Sequence, residues 1–214
     1  MSRETKYTAI ILKKQPFGEA DEIITFFSLE TGKIRALAKS VKLAKSKMQN
    51  ALQTLFLVEL ALAGRGNLPK IISAEVKDAF PALREDLEAI KPAYYACELV
   101  LKFMPDGQSN PELYTLLKDF FKHLETGRRG YGPALVKFKA GFLNAAGLSP
   151  AAHEGLQKES GSLKVCKDLE ACAFVELDRQ TWQGLEPLQN FLSDFITHHL
   201  EREIKSENFL KTVV

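Results

Sequence analysis

"EIITFFSLETGKIRALAKS", Glu22–Ser40, reads as two strands and the turn between them. Ile23, Ile24, Thr25, Phe26 and Phe27 are β-branched or aromatic, the side chains that suit a pleated surface. Thr31-Gly32-Lys33 supplies a tight turn, and "IRALAKS" runs on as the next strand. Before this stretch, "YTAIILKK" has the composition of a strand and leads into a turn signal at Pro16 and Gly18. After it, "LQTLFLVELALAG" is an apolar run too long for one simple strand unless it bends, and "LPKIISAEV" returns beyond "GRGNLP". Five closely spaced strands within residues 1–80 predict a small barrel, most economically a five-stranded OB-fold.

Beyond Phe80 the apolar spacing changes from strand-like to helical. "PALREDLEAI" places Leu83, Leu87 and Ile90 on one face, and "PAYYACELVLKFM" repeats the pattern, with Pro81 and Pro92 each read as first-turn prolines. "NPELYTLLKDFFKHLE" opens with Asn110 as a cap and Pro111 at the first helical position. "PALVKFKAGFLNAAG" is a further helix ending at Gly147, and "LEPLQNFLSDFITHHLEREI" is a long amphipathic one. Residues 151–182 are irregular, and "FVELD" has the composition of a strand. The expected fold class is α+β: a barrel domain over residues 1–80 and a helical domain over residues 81–214.

With 214 residues the chain can bury a sizeable core without disulfides. Cys97, Cys166 and Cys172 show no CxxC spacing, so they read as reduced, packed thiols. No apolar run approaches a membrane span or the core of a signal peptide, and the expectation is a cytoplasmic protein.

The motifs of catalysis are missing. "GRGNLP" lacks the third glycine of a dinucleotide fingerprint and has no helix after it, and Gly32-Lys33 is no P-loop. His198 and His199 point about 100° apart on a helix, so they cannot share a metal. Asp194 and His198 have the spacing of a ligand pair but only two members. Arg84, Glu85 and Asp86 read as a solvated helix face. No enzyme, no metal and no cofactor is expected.

Charge is the informative property. Residues 1–80 carry 13 basic and 8 acidic residues, whereas the remainder carries 16 and 19, a sign asymmetry that points to a polyanion for the N-terminal half. Between Thr31 and Val58 lie Lys33, Arg35, Lys39, Lys42, Lys45 and Lys47 with no acid among them. The core of this run, "KSVKLAKSK", lacks the bulky apolar face that membrane binding needs. A flexible segment of mobile lysines, with Ser40 and Ser46 as hydroxyl donors, suits phosphate. Phe26, Phe27 and Phe56 are the aromatic candidates for base stacking. Two other readings share these residues: an RNA-binding OB-fold, and a protein–protein adaptor whose basic loop is merely solvated.

An ordered set of short patterns resembles the bacterial recombination mediator family RecO. They are Gly18-Glu19-x-Asp21, Glu30-x-Gly32-Lys33, the basic and serine-bearing segment before "LQTLFLVEL", and Phe80, Leu83, Arg84, Tyr94, Glu98 and Leu99 at the helical entry. Gly147 with Pro150, and Lys205, Ser206 and Phe209 near the C-terminus, complete it, so the resemblance covers nearly the whole chain. It implies an N-terminal OB-fold and a C-terminal helical domain. It also implies binding of single- and double-stranded DNA, strand annealing, and help in loading RecA onto strands coated by single-stranded-DNA-binding protein (SSB). The implied partners are RecR and the acidic SSB tail, and by motif position Lys137, with Arg128 and Arg129 as weaker alternatives, is the candidate cation for that tail. Many members carry a four-cysteine zinc module after the Gly-x-x-Pro helix. Here "AAHEGLQKESGSLKVCKDLEAC" follows Pro150 with no CxxC, a departure from that pattern, so no zinc is expected for this chain.

Overall fold

The computed structural model describes residues 4–43, 46, 48–64, 66, 68–127, 131–179, 181–200, 204–206 and 210. The strands β1 (Thr5–Phe17), β2 (Asp21–Ser28), β3 (Gly32–Ala38), β4 (Leu57–Ala63) and β5 (Lys70–Asp78) close into a barrel in the order 1-2-3-5-4. β1 is the longest because it serves two partners, pairing antiparallel with β2 along one part and with β4 along the other. It changes course at a bulge between Ile11 and Lys13. There the Ile11 N–H donates to Phe56 and its carbonyl accepts from Leu55, so the middle of β1 is held by the chain just before β4. Ala9, Ile11, Ile24, Phe26, Val58 and Leu60 fill the barrel, which is what alternating strands must do with their apolar face.

The long run before Gly64 is resolved by this geometry. Only Leu57–Ala63 is strand; Leu52, Leu55 and Phe56 are buried in the turns before it, with Leu55 at φ 75°. The β2–β3 turn is held by the Ser28 hydroxyl, which accepts from the Thr31 N–H and donates to the Gly32 carbonyl.

The chain divides into two compact units. The barrel unit comprises residues 1–80 together with Met104–Tyr114. That second segment matters to the barrel, since the Ser109 hydroxyl donates to the Leu29 carbonyl and the Gly107 N–H donates to Lys33.

The second unit is helical. It contains α1 (Pro81–Glu85), α2 (Leu87–Phe103), the greater part of α3 (Pro111–Glu125), α4 (Tyr131–Ala145), α5 (Glu154–Gln157), α6 (Ser160–Ala171) and α7 (Leu185–Leu200). α3 begins as the spacing predicts, with the Leu113 N–H bonded to Asn110 Oδ1. α4 is the central helix, with Phe138 stacked on Phe120 at 4.7 Å and with α2, α6 and α7 against it. It ends at Gly147, φ 79°, where the Leu148 N–H reaches back to the Leu143 carbonyl.

Three expectations are corrected. Pro92 lies inside α2 and not at a first turn, because Asp86 caps that helix earlier by accepting from the N–H groups of Glu88 and Ala89. Asp86 is therefore not a solvated face residue; it also accepts from the Tyr131 hydroxyl. "FVELD" is no strand but a 3-10 turn, Phe174–Arg179, with Leu177 buried and Phe174 beside the rings of Phe120 and His123. Its composition suits a strand, yet among the described residues of the helical unit there is no strand for it to pair with.

The C-terminal segment is tied to α2. The Glu98 carboxylate accepts from the N–H groups of Lys205 and Ser206, from the Ser206 hydroxyl, and from Lys102 at 2.6 Å. Burial alone would raise the pKa of Glu98, but these donors outweigh it and hold it at about 2. Phe209 lies outside the described residues.

Candidate nucleic-acid interface

β3 and β5 meet only through a parallel bridge at Leu37 and Lys70. The first half of β3 is therefore left without β5 beside it, and an open cleft of about 510 Å³ forms there. Tyr7 of β1, Lys33 and Arg35 of β3, Leu62 of β4, Pro69 and Asp106 line it. Gly64 and Gly66, both at positive φ, shape the chain between β4 and β5 at its rim.

Lys33 and Arg35 stand two residues apart on one strand and so face the same side. Both meet Asp106: Lys33 Nζ lies 3.3 Å from Oδ1, and Arg35 Nε lies 3.9 Å from Oδ2. The Lys33 side chain is 12% exposed, against 57% for Asp106 and 56% for Arg35. The pair therefore has one cation packed into the wall and one reaching toward solvent.

Lys39 follows the last residue of β3, about 20 Å along the strand from Lys33 at the usual rise, and Lys42 lies past the turn at Ser40. Lys39 is exposed. Lys42 Nζ donates to the Gly18 carbonyl at 3.4 Å, and its N–H donates to Ala20. Ser40, at φ 54°, donates its N–H to Asp21 Oδ1 at 2.7 Å, and Val41 is buried. This part of the basic run is fastened to the β1–β2 turn, in contrast to the flexible segment expected from composition. Lys45 and Lys47 lie outside the described residues.

The aromatic candidates are corrected. Phe26 and Phe27 are fully buried and Phe56 nearly so, hence none offers a free ring face. Tyr7 is the aromatic that lines the cleft, with its ring tilted against Phe26 at 6.2 Å. Asp106 and Tyr7 were not visible as site residues: one sits in a short connection between helices, the other in a strand of mixed composition.

In the helical unit, Lys137 is buried on α4. Its ammonium donates to the carbonyls of Leu169 (2.7 Å) and Glu170 (3.2 Å) at the end of α6, and lies 5.3 Å above the Phe174 ring. A cation there satisfies carbonyls that the helix leaves open. Burial lowers its pKa, with Cys172 and Glu170 acting the other way. Arg128 and Arg129 lie outside the described residues. Lys139 on the same helix is also buried, its ammonium 2.7 Å from Ser193 Oγ and 4.9 Å from the Tyr95 ring centre. Among the described residues, no group of three or more His, Cys, Asp or Glu side chains is placed to hold a metal ion, and no helix is long and apolar enough to cross a membrane.

A closed five-stranded 1-2-3-5-4 barrel with a basic cleft, followed by helices, defines an OB-fold protein of α+β class. The chain belongs to the Recombination protein O family, whose N-terminal model matches residues 1–80 and whose C-terminal model matches residues 84–160. A DNA repair protein RecO of Pelotomaculum thermopropionicum is 30% identical over 237 aligned positions, which cover 96% of this chain and 93% of the relative. Its counterpart from Geobacter metallireducens is 34% identical over 143 residues, 67% of this chain. That match spans 58% of the Geobacter protein's length. The Myxococcus xanthus protein of the same name is 27% identical, with 96% of each chain covered.

Proposed function

We propose that this protein is a recombination mediator in DNA repair. It binds single- and double-stranded DNA through its barrel, anneals complementary strands, and helps load RecA onto SSB-coated single strands, with RecR as a partner. Family membership supports this reading, and relatives of the chain are named DNA repair proteins. The observation that carries the site is that Lys33 and Arg35 share one face of β3 at an open cleft.

Lys33, Arg35, Lys39 and Lys42 form a basic track along and beyond β3, which Lys45 and Lys47 extend in the chain. Point charges of this kind hold phosphates without reading bases. Two strands held on basic surfaces lose mutual repulsion and pair, and no covalent bond is made or broken. Tyr7 supplies a ring at the cleft for sequence-tolerant stacking. For the acidic SSB tail, Lys137 remains the candidate selected by family resemblance. Its ammonium is already held by two carbonyls, so a tail carboxylate would bind there only by displacing them.

Binding of fluorescent single-stranded DNA across a salt series, then annealing of SSB-coated strands, tests the proposal. Affinity falls steeply with salt, and Lys39→Ala/Lys42→Ala weakens it. Binding insensitive to both would overturn the grip on DNA, and a preference for structured RNA would transfer the barrel to RNA chemistry. Normal binding of an acidic tail peptide by Lys137→Glu would remove Lys137 from the tail site.

A further inference from the structure

The acid in the cleft has a role of its own. Asp106 comes from the connection between α2 and α3, and the backbone fixes it in place: residue 106 forms a parallel bridge with Lys33, and the Gly107 N–H donates to the Lys33 carbonyl at 2.8 Å. Its two carboxylate oxygens are divided between the cleft's two cations, one toward Lys33 and one toward Arg35. A phosphodiester also presents two anionic oxygens to neighbouring donors.

We infer that Asp106 is a built-in counter-anion that occupies the phosphate position of the cleft and must be displaced when nucleic acid binds. This rests on the reading of the cleft as a DNA site. The carboxylate is 57% exposed and its bonds at 3.3 and 3.9 Å are long, so it is held loosely enough to yield. A small anion gains little by replacing a carboxylate already tethered in place. A polyanion that also engages Lys39 and Lys42 gains more, because those contacts are added to the exchange. Asp106 thus selects for long phosphate chains over free phosphate or mononucleotides.

Anisotropy of a labelled oligothymidylate across a salt series provides the test. Asp106→Asn keeps the size of the side chain and the backbone bonds while removing the charge. It should bind about two- to fivefold more tightly, the range in which exposed pairs fall. The site then carries one more uncompensated positive charge, so the salt slope should steepen by about 0.7. In the Lys33→Gln/Arg35→Gln background, where no cation is left to release, Asp106→Asn should gain less than it does in the parent and should not restore the parent's affinity. If Asp106→Asn binds no tighter than the parent while Lys33→Gln/Arg35→Gln binds more weakly, the counter-anion is overturned and the DNA site stands. If Lys33→Gln/Arg35→Gln binds like the parent, the cleft reading fails and the inference falls with it. Should Asp106→Asn fold poorly, Asp106→Ser takes the same test.

Discussion

Gly32 lies directly beneath the Gln108 carbonyl: a Cβ on residue 32 would stand 1.8 Å from that oxygen and 2.6 Å from its carbon. Residue 32 also sits at φ 76°, where a side chain is strained in any surroundings. The Glu-x-Gly-Lys pattern therefore needs its glycine twice, once for the turn and once for the close passage of the 104–114 segment. Gly32→Ala should cost about 2 kcal/mol or more, read as a lower denaturation midpoint. An unchanged midpoint would show that the segment does not rest on the turn.

The basic residues should differ in what they do to salt dependence. Lys39→Gln removes an exposed charge and should flatten the slope of log affinity against log salt by about 0.7 for a single strand. Arg35→Gln should do the same only to the extent that Asp106 leaves the cation available. Slopes measured by anisotropy for the two variants separate these cases. A slope untouched by Lys39→Gln would take that end of β3 out of the interface.

Strand composition and the Gly32 turn make the barrel legible in the sequence: β1 and β2 carry β-branched and aromatic residues, and the later strands show as short apolar runs between turn signals. The 104–114 segment carries no such periodicity; its place against Lys33 is set by pairing across distant residues, and Asp106 is therefore invisible. The six basic residues were legible as a group, but which of them face one cleft was not, since that depends on where β5 stops meeting β3. Phe26 and Phe27 show the opposite problem: aromatic residues on a binding barrel look available until burial is known. Pro92 misleads for a similar reason, as the cap at Asp86 fixes the helix start and leaves the proline inside.

Glu98 should make stability depend on acid. Its folded pKa of about 2 lies below the ordinary 4.5, so its contribution is complete above about 4.5 and is lost as pH falls through about 2. Glu98→Gln should lower stability at neutral pH by about 1–3 kcal/mol and flatten the acid limb of the stability profile. Denaturant titrations at pH 7 and pH 3 give both quantities. A variant with the parent's profile would show that the Lys205–Ser206 turn adds nothing.

The three thiols should sort by position. Burial pushes the Cys97 thiol far above its ordinary range, and burial, then the Glu170 charge, lifts Cys166 to about 12. Cys172 is partly exposed. At pH 8 a thiol reagent should label one equivalent quickly, at Cys172, and the other two only on unfolding. Rapid labelling of all three in the native protein would contradict the packing around α2 and α6.

The meeting of β3 and β5 at one bridge has a mechanical consequence. Four long antiparallel ladders give the barrel its stiffness, while the fifth contact is a short weld between Leu37 and Lys70. If the barrel opens, this seam has the fewest ladder bonds to break, and the cleft beside it would widen first.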